Sequence, residues 1–182
     1  MRTVKVYEEN WPLHSPFVIS RGSRNEARVV VVELEEAGVR AVGECTPYPR
    51  YGESDASVIA QIMTVVPQLE SGLTRQQLQS LLPPGAARNA VDSALWDLEA
   101  RHAGQSLMEH LHVPLTGTVT TAQTVVIGTP QQMASSAAML WEKGALLLKV
   151  KLDDTYLSER LVAVRSAVPD ATLIVDANES WH

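Results

Sequence analysis

The sequence predicts an α+β domain followed by a β/α domain, with the boundary near residue 117. Two observations carry this reading. The first 45 residues are patterned as β-structure ending in a hairpin, and a run of helices follows it. From about Val119 the pattern turns to strand–helix–strand–helix–strand, the signature of a parallel sheet joined by crossover helices.

In chain order, Val4 to Glu9 reads as a strand. Pro12 to Arg24 holds two prolines and no clear period, so it reads as a loop. Ala27 to Glu35 is rich in β-branched residues, and Val39 to Glu44 follows after Glu36-Ala37-Gly38; two apolar runs around a short Gly-containing turn make a hairpin. Thr46 to Glu53 is irregular. Ser54 caps a helix carrying Val58, Ile62, Val65 and Leu69, which Pro67 shortens or bends. Thr74 caps a short helix to Leu82, and Pro83-Pro84-Gly85 breaks the chain. Ala86 to Arg101 is the clearest helix, its small residues suited to close packing, and a short helix over Ser106 to Leu111 follows. Then come a strand over Val119 to Ile127, a helix opened by Thr129-Pro130 and running to Glu142, and a strand over Leu146 to Lys151. A helix over Asp154 to Ala167, capped by Thr155 or Asp154, leads to a strand over Thr172 to Asp176.

Composition narrows the class. The chain has 182 residues, 45% hydrophobic and 20% charged, as expected of a soluble globular protein. The longest apolar runs, such as Val29 to Val32, are strand-sized, well short of the ~18 residues a membrane span needs. MRTVKVYEENW has no apolar segment of the kind a secretory signal requires. A single cysteine, Cys45, excludes a disulfide framework and a thiolate zinc site, and fits a reducing cytoplasm. Fifteen basic residues against 21 acidic leave a net charge of −6, which argues against nucleic acid as a partner.

Few residues are placed to do chemistry. Lys149-Val150-Lys151 ends a strand, where alternation puts both lysines on one face. Two ammonium groups that close repel each other, which favours the neutral amine on one of them and makes it a candidate general base; the plainer reading is a solvated strand end. Asp176-Ala177-Asn178 ends the next strand. A carboxylate there sits where β/α proteins place ligands and suits a hard cation such as Mg2+, or else it caps the following turn. Both motifs lie at the C-terminal ends of consecutive strands, the face on which barrel active sites are built. Arg24, near Arg21 and Arg28, could meet a carboxylate, although a surface arginine is the default. The five histidines show no ligand spacing, and Cys45 reads as a buried structural thiol.

At this point the motifs resemble a known family. The helix Ala87-Arg88-Asn89-Ala90-Val91-Asp92-Ser93-Ala94-Leu95-Trp96-Asp97-Leu98-Glu99-Ala100-Arg101 with Ser106-Leu107 is similar to the signature helix of the mandelate racemase/muconate lactonizing branch of the enolase superfamily, and the Lys-Val-Lys and Val175-Asp176-Ala177-Asn178 motifs fall in the expected order. Gly43-Glu44-Cys45-Thr46-Pro47 and Tyr51-Gly52-Glu53-Ser54 resemble the dipeptide epimerases within that branch. His110-Leu111-His112 departs from the signature at the exit of a packing helix.

The resemblance implies an N-terminal α+β capping domain over residues 1–117, then residues 118–182 as the start of a (β/α) TIM-type barrel with its first three strands. It implies an isomerase using Mg2+, acting on a small dipeptide, cytoplasmic and serving murein peptide metabolism. Arg24 would meet the acidic side chain of the substrate and Thr124 its backbone. Lys151 would remove or return the α-proton, Lys149 would hold the substrate carboxylate, and Asp176 would be the first metal ligand. The family takes two further carboxylates and an opposing lysine from later strands, and a complete barrel has about 250 residues. The chain is therefore expected to be the N-terminal part of such an enzyme, inactive and poorly soluble by itself, its sheet edge being open. Cycloisomerases and o-succinylbenzoate synthases share the framework, and a non-catalytic remnant would keep only the capping domain's packing. No nucleic-acid or membrane partner is expected.

Overall fold

The computed structural model describes residues 1–19, 22–114, 117–177 and 180, without the side chains of Ser15 and Ile19. The chain divides into two compact units, one of residues 1–12 and 26–115, the other of residues 13–25 and 116–182. Among the described residues no helix is long and apolar enough to cross a membrane.

A three-stranded sheet runs in the order β1 (Thr3–Ile19), β2 (Gly22–Glu36), β3 (Val39–Cys45), and the first unit is built on its residues 3–12, 26–36 and 39–45. The turn between β2 and β3 is Ala37-Gly38, with φ of 51° and 78°. Two positive φ values at the central pair match the right-handed twist of the strands they join. The antiparallel register runs from Glu36 opposite Val39 to Val30 opposite Cys45.

The expected loop over Pro12–Arg24 is corrected. Its described residues are strand, the far ends of β1 and β2. The prolines that argued against a strand stand at positions 12 and 16, an even spacing, so both imino nitrogens face the same way. β1 is an edge strand, and an edge tolerates missing donors on its outer side.

Ser54 caps α1 (Asp55–Met63) in a reciprocal box with Ser57, and the helix stops ahead of Pro67, which sits in the first turn of α2 (Val66–Glu70). Thr74 and Gln77 form the same box on α3 (Arg75–Leu81). The long helix α4 (Ala86–His102) turns Ala87, Ala90, Val91, Ala94, Leu95 and Leu98 onto the sheet, where Val30, Val32 and Leu34 complete the core. Glu53 tethers the segment before α1 to that helix: its carboxylate accepts from Ala86 N at 2.7 Å and from Tyr48 N at 3.0 Å, satisfying an N-terminal amide of α4. A short helix, α5 (Leu107–His110), follows.

In the second unit, β4 (Ala122–Val125), β5 (Leu147–Lys151) and β6 (Thr172–Asp176) form a parallel sheet in chain order. Crossover helices α6 (Pro130–Glu142) and α7 (Leu157–Ala167) link them. Val125, Met133, Ala137, Leu148, Val150, Leu152 and Val164 form its core. Two sequence expectations are adjusted. The first strand is shorter than Val119–Ile127. The cap of α7 is neither Thr155 nor Asp154 but Tyr156, held in the left-handed region at φ 50°, ψ 34° with no side-chain cap bond. Thr155 is engaged elsewhere: its N and Oγ1 donate to Asp153 Oδ1 at 2.8 and 2.6 Å.

Candidate functional site

All of the residues singled out from the sequence as chemical candidates, apart from those outside the described set, lie in the second unit. The parallel register pairs Thr124 with Lys149, Lys149 with Ile174, and Lys151 with Asp176. Paired positions of a sheet share a face, so Thr124, Lys149, Lys151 and Asp176 project together. Val150, between the lysines, is buried on the opposite face against the helices. The strand period thus separates the apolar residues that hold the sheet from the charged ones that project from it.

The geometry is tight. Asp176 Oδ2 lies 2.7 Å from Lys149 Nζ and 3.1 Å from Lys151 Nζ. Lys151 is the more enclosed of the two, its side chain 11% exposed against 37% for Lys149. Leu152 N donates to the Asp176 carbonyl at 3.0 Å, which fastens the end of β5 to the end of β6. Above Lys151 stands Phe17 from the β1 end, its ring centre 5.7 Å from Nζ. Arg24, on β2, lies with its guanidinium carbon 5.3 Å from the same ring. A cation at this distance from an aromatic face is attracted by about 0.5–2 kcal/mol, depending on its solvation. The ring therefore stands next to both cations, and the named side chains present three cations and one carboxylate. Asn178 and Arg21 lie outside the described residues.

Among the described residues no three His, Cys, Asp or Glu side chains come together as a metal cage. Asp176 offers an oxygen donor of the kind a hard cation prefers, as one ligand of the six that Mg2+ takes. The donor fits such an ion in kind, and a complete coordination shell needs more oxygens than these residues bring together.

Two features escaped the sequence reading. Phe17 lay in the stretch read as loop. Arg160 lay within a helix read only as a crossover between strands, although it occupies the apolar stripe of Leu157, Leu161 and Val164 at i, i+3, i+4 spacing, a signal that could have been read. Its guanidinium is buried and bonds Gly128 O, Asp153 Oδ1 and Thr155 O. Burial pushes the Asp153 carboxyl up, but hydrogen bonds from Thr155 and Arg160, with the guanidinium charge, outweigh it and hold the group below its ordinary value. Cys45 is buried as expected, and burial, followed by the nearby Glu53 charge, pushes its thiol up to about 11.

Comparison with known proteins places the fold in a family. The N-terminal domain of the mandelate racemase / muconate lactonizing enzyme family matches residues 1–111. L-Ala-D/L-Glu epimerase of Escherichia coli (strain K12) is 74% identical over 182 residues, the whole of this chain and 57% of that protein. Among solved structures, an enolase family member from Agrobacterium tumefaciens with homology to dipeptide epimerases, holding sodium and L-Ala-L-Glu, aligns at a TM-score of 0.94 with 42% identity, over 100% of this chain and 55% of its own. Dipeptide epimerase from Cytophaga hutchinsonii, complexed with Mg and D-Ala-L-Val, aligns at 0.88 with 30% identity, over 100% of this chain and 53% of its own. The chain spans a little over half the length of these relatives. The α+β unit with its signature helix, and the three parallel strands with crossover helices, have the enolase-superfamily architecture of a capping domain and part of a (β/α) barrel. With the family's domain matched across well over half of its residues, the chain belongs to the mandelate racemase/muconate lactonizing enzyme family.

Proposed function

We propose that these residues form the N-terminal part of a Mg2+-dependent dipeptide epimerase acting on L-Ala-D/L-Glu, with residues 1–117 as capping domain and residues 118–182 as the start of the barrel. The observation that carries the reading is the cluster of Lys149, Lys151 and Asp176 at adjoining strand ends, beneath Phe17 and Arg24.

The chemistry gives each group its task. The α-proton beside a carboxylate is very weakly acidic, and its removal adds a second negative charge as the bond electrons move into an enediolate. Lys151, as the neutral amine, takes that proton on one face of the α-carbon. Lys149, as an ammonium, holds the substrate carboxylate and gains attraction as charge develops there. Thr124 orients the dipeptide backbone, and Arg24 pairs with the acidic side chain of the second residue. Bound at Asp176, Mg2+ supplies further electrostatic stabilisation of the developing charge. Epimerisation also needs a proton delivered from the opposite face. The remaining lysines of the sequence are Lys5, which pairs with Glu33, and Lys143, which follows α6, so neither lies on these strand ends. The 182 residues alone should therefore not turn over.

The test is a chimera in which these residues replace their matched segment of the Escherichia coli relative. Epimerisation of L-Ala-L-Glu, with deuterium entering the α-carbon in D2O, is the expected result. A folded chimera that exchanges no α-proton would overturn the assignment, and turnover by the 182-residue chain alone would overturn its incompleteness.

A further inference from the structure

We infer that Arg160 is a positioning residue for the lysine site, acting through a clip that ties the segments leaving β4 and β5. The inference rests on the function proposed above, since it names what holds that site in place.

Arg160 belongs to the first half of α7, yet its side chain does not point along the helix surface to solvent. Nε donates to Gly128 O at 2.9 Å, three residues beyond the end of β4. Nη1 donates to Asp153 Oδ1 at 2.6 Å and to Thr155 O at 2.7 Å, two and four residues beyond Lys151. One planar guanidinium thus spans the segments that follow two neighbouring strands, those carrying Thr124 and the two lysines. The side chains of Arg160 and Asp153 are 8% and 23% exposed, so this is an enclosed ion pair in which Nε and Nη1 are both engaged. Lysine could not replace it, because a point ammonium lacks the planar fork.

A second observation makes this more than a packing contact. Tyr156, between the clip and the helix, holds the left-handed conformation at φ 50°, a strained state for a bulky residue. Arg160 N donates to Tyr156 O at 2.9 Å, and its guanidinium carbon lies 5.9 Å from the Tyr156 ring. The strained residue, 66% exposed, is tied to the helix through its carbonyl, while its ring lies at the margin of the guanidinium. A turn of this kind persists where surrounding structure over-determines it, and here it determines how the chain leaves Lys151. From Lys151 the constraint runs through Leu152, which is fully buried and bonded to the Asp176 carbonyl. Loosening the clip lets the β5 end rotate, and an amine displaced by ~1 Å loses on the order of 100-fold in rate.

The chimera described above serves for the test, with Arg160→Lys and Asp153→Asn as the variants. In each, kcat for L-Ala-L-Glu should fall at least tenfold with KM within twofold of the parent, at a temperature where circular dichroism shows the variant fully folded. Deuterium wash-in should also become lopsided between L-Ala-L-Glu and L-Ala-D-Glu, because Lys151 serves one face of the α-carbon; a loss of folded protein would scale both equally. Activity and wash-in ratio equal to the parent's, with or without a lowered Tm, would overturn the clip while leaving the proposed function standing. Equal loss with both epimers would likewise reduce Arg160 to a folding role. An inactive parent chimera would remove both readings together.

Discussion

Gly43→Ala is expected to be severely destabilising, and the structure shows why. Gly43 lies on β3, where the sheet meets α4. A Cβ built there falls well inside the contact distance of Ala90 O and Ala94 N, and 3.0 Å from Ser93 Cβ. Two of these neighbours are helix backbone, which no rotamer change can clear. The helix would have to retreat by about 1 Å to restore ordinary contacts, and a gap of that size forfeits roughly a quarter to a half of each dispersion contact it opens. Ala90, Val91 and Ala94, which form this interface, are fully buried. Overpacking costs about 1–3 kcal/mol, and rigid backbone neighbours place this site at the upper end. The opposing effect, lower entropy of the unfolded chain on replacing glycine, is worth only about 0.4–1 kcal/mol, so sterics win. A net loss of about 2 kcal/mol lowers the folding constant roughly 30-fold. Urea unfolding of the 182-residue chain, followed by circular dichroism, measures it. Ala94→Gly in the same background should give no rescue, because the clash is with backbone. A Gly43→Ala chain within 0.5 kcal/mol of the parent would refute the close-approach argument.

Other outcomes follow from the same structure. The Glu33 carboxyl is held down at about 2 by hydrogen bonds from Arg40 and Lys5; a depressed carboxylate contributes stability that is fully present above its unfolded value of 4.5 and lost as pH falls toward 2. Glu33→Gln should therefore lower Tm at pH 7 and narrow its gap to the parent as pH drops through that window, and a gap constant with pH would contradict the pairing. The Cys45 thiol, pushed up to about 11 chiefly by burial, should stay unreactive to a disulfide reagent at pH 8 until urea unfolds the chain; reaction of the native chain at a free-thiol rate would count against it. In the chimera, Lys151→Met should reduce kcat for L-Ala-L-Glu by at least 1,000-fold, on the scale of a lost general base, with substrate binding retained by calorimetry. Arg24→Ala should raise KM for L-Ala-L-Glu about tenfold or more, as expected for a lost charged pair; an unchanged KM would point to another reaction of the superfamily.

The helices were legible in the sequence because their signals are local. The boxes at Ser54, Thr74, Ser106 and Thr129 each close within three residues, and the prolines near α2 and α6 act on their own turns. The shared face of Lys149 and Lys151 also needed only the strand period. Their relation to Asp176 could be suspected from order along the chain, but the pairing of Lys151 with Asp176 depends on a register between strands 25 residues apart.

What the sequence alone determined about this protein is its list of elements, the ends of most helices, the parallel sheet and the family motifs that ride on them. All of these follow from periodicity and caps spanning a few residues. Only the tertiary structure decided that the described residues of Pro12–Arg24 are strand, since tolerance of proline depends on whether a strand lies at an edge. It also decided that Phe17 stands over Lys151, that Arg160 reaches Gly128 across 32 residues, and that Gly43 is a point of backbone approach. Each of these is a distance between segments remote in the chain, set by how sheets and helices pack once their apolar faces are buried, and no local pattern encodes it.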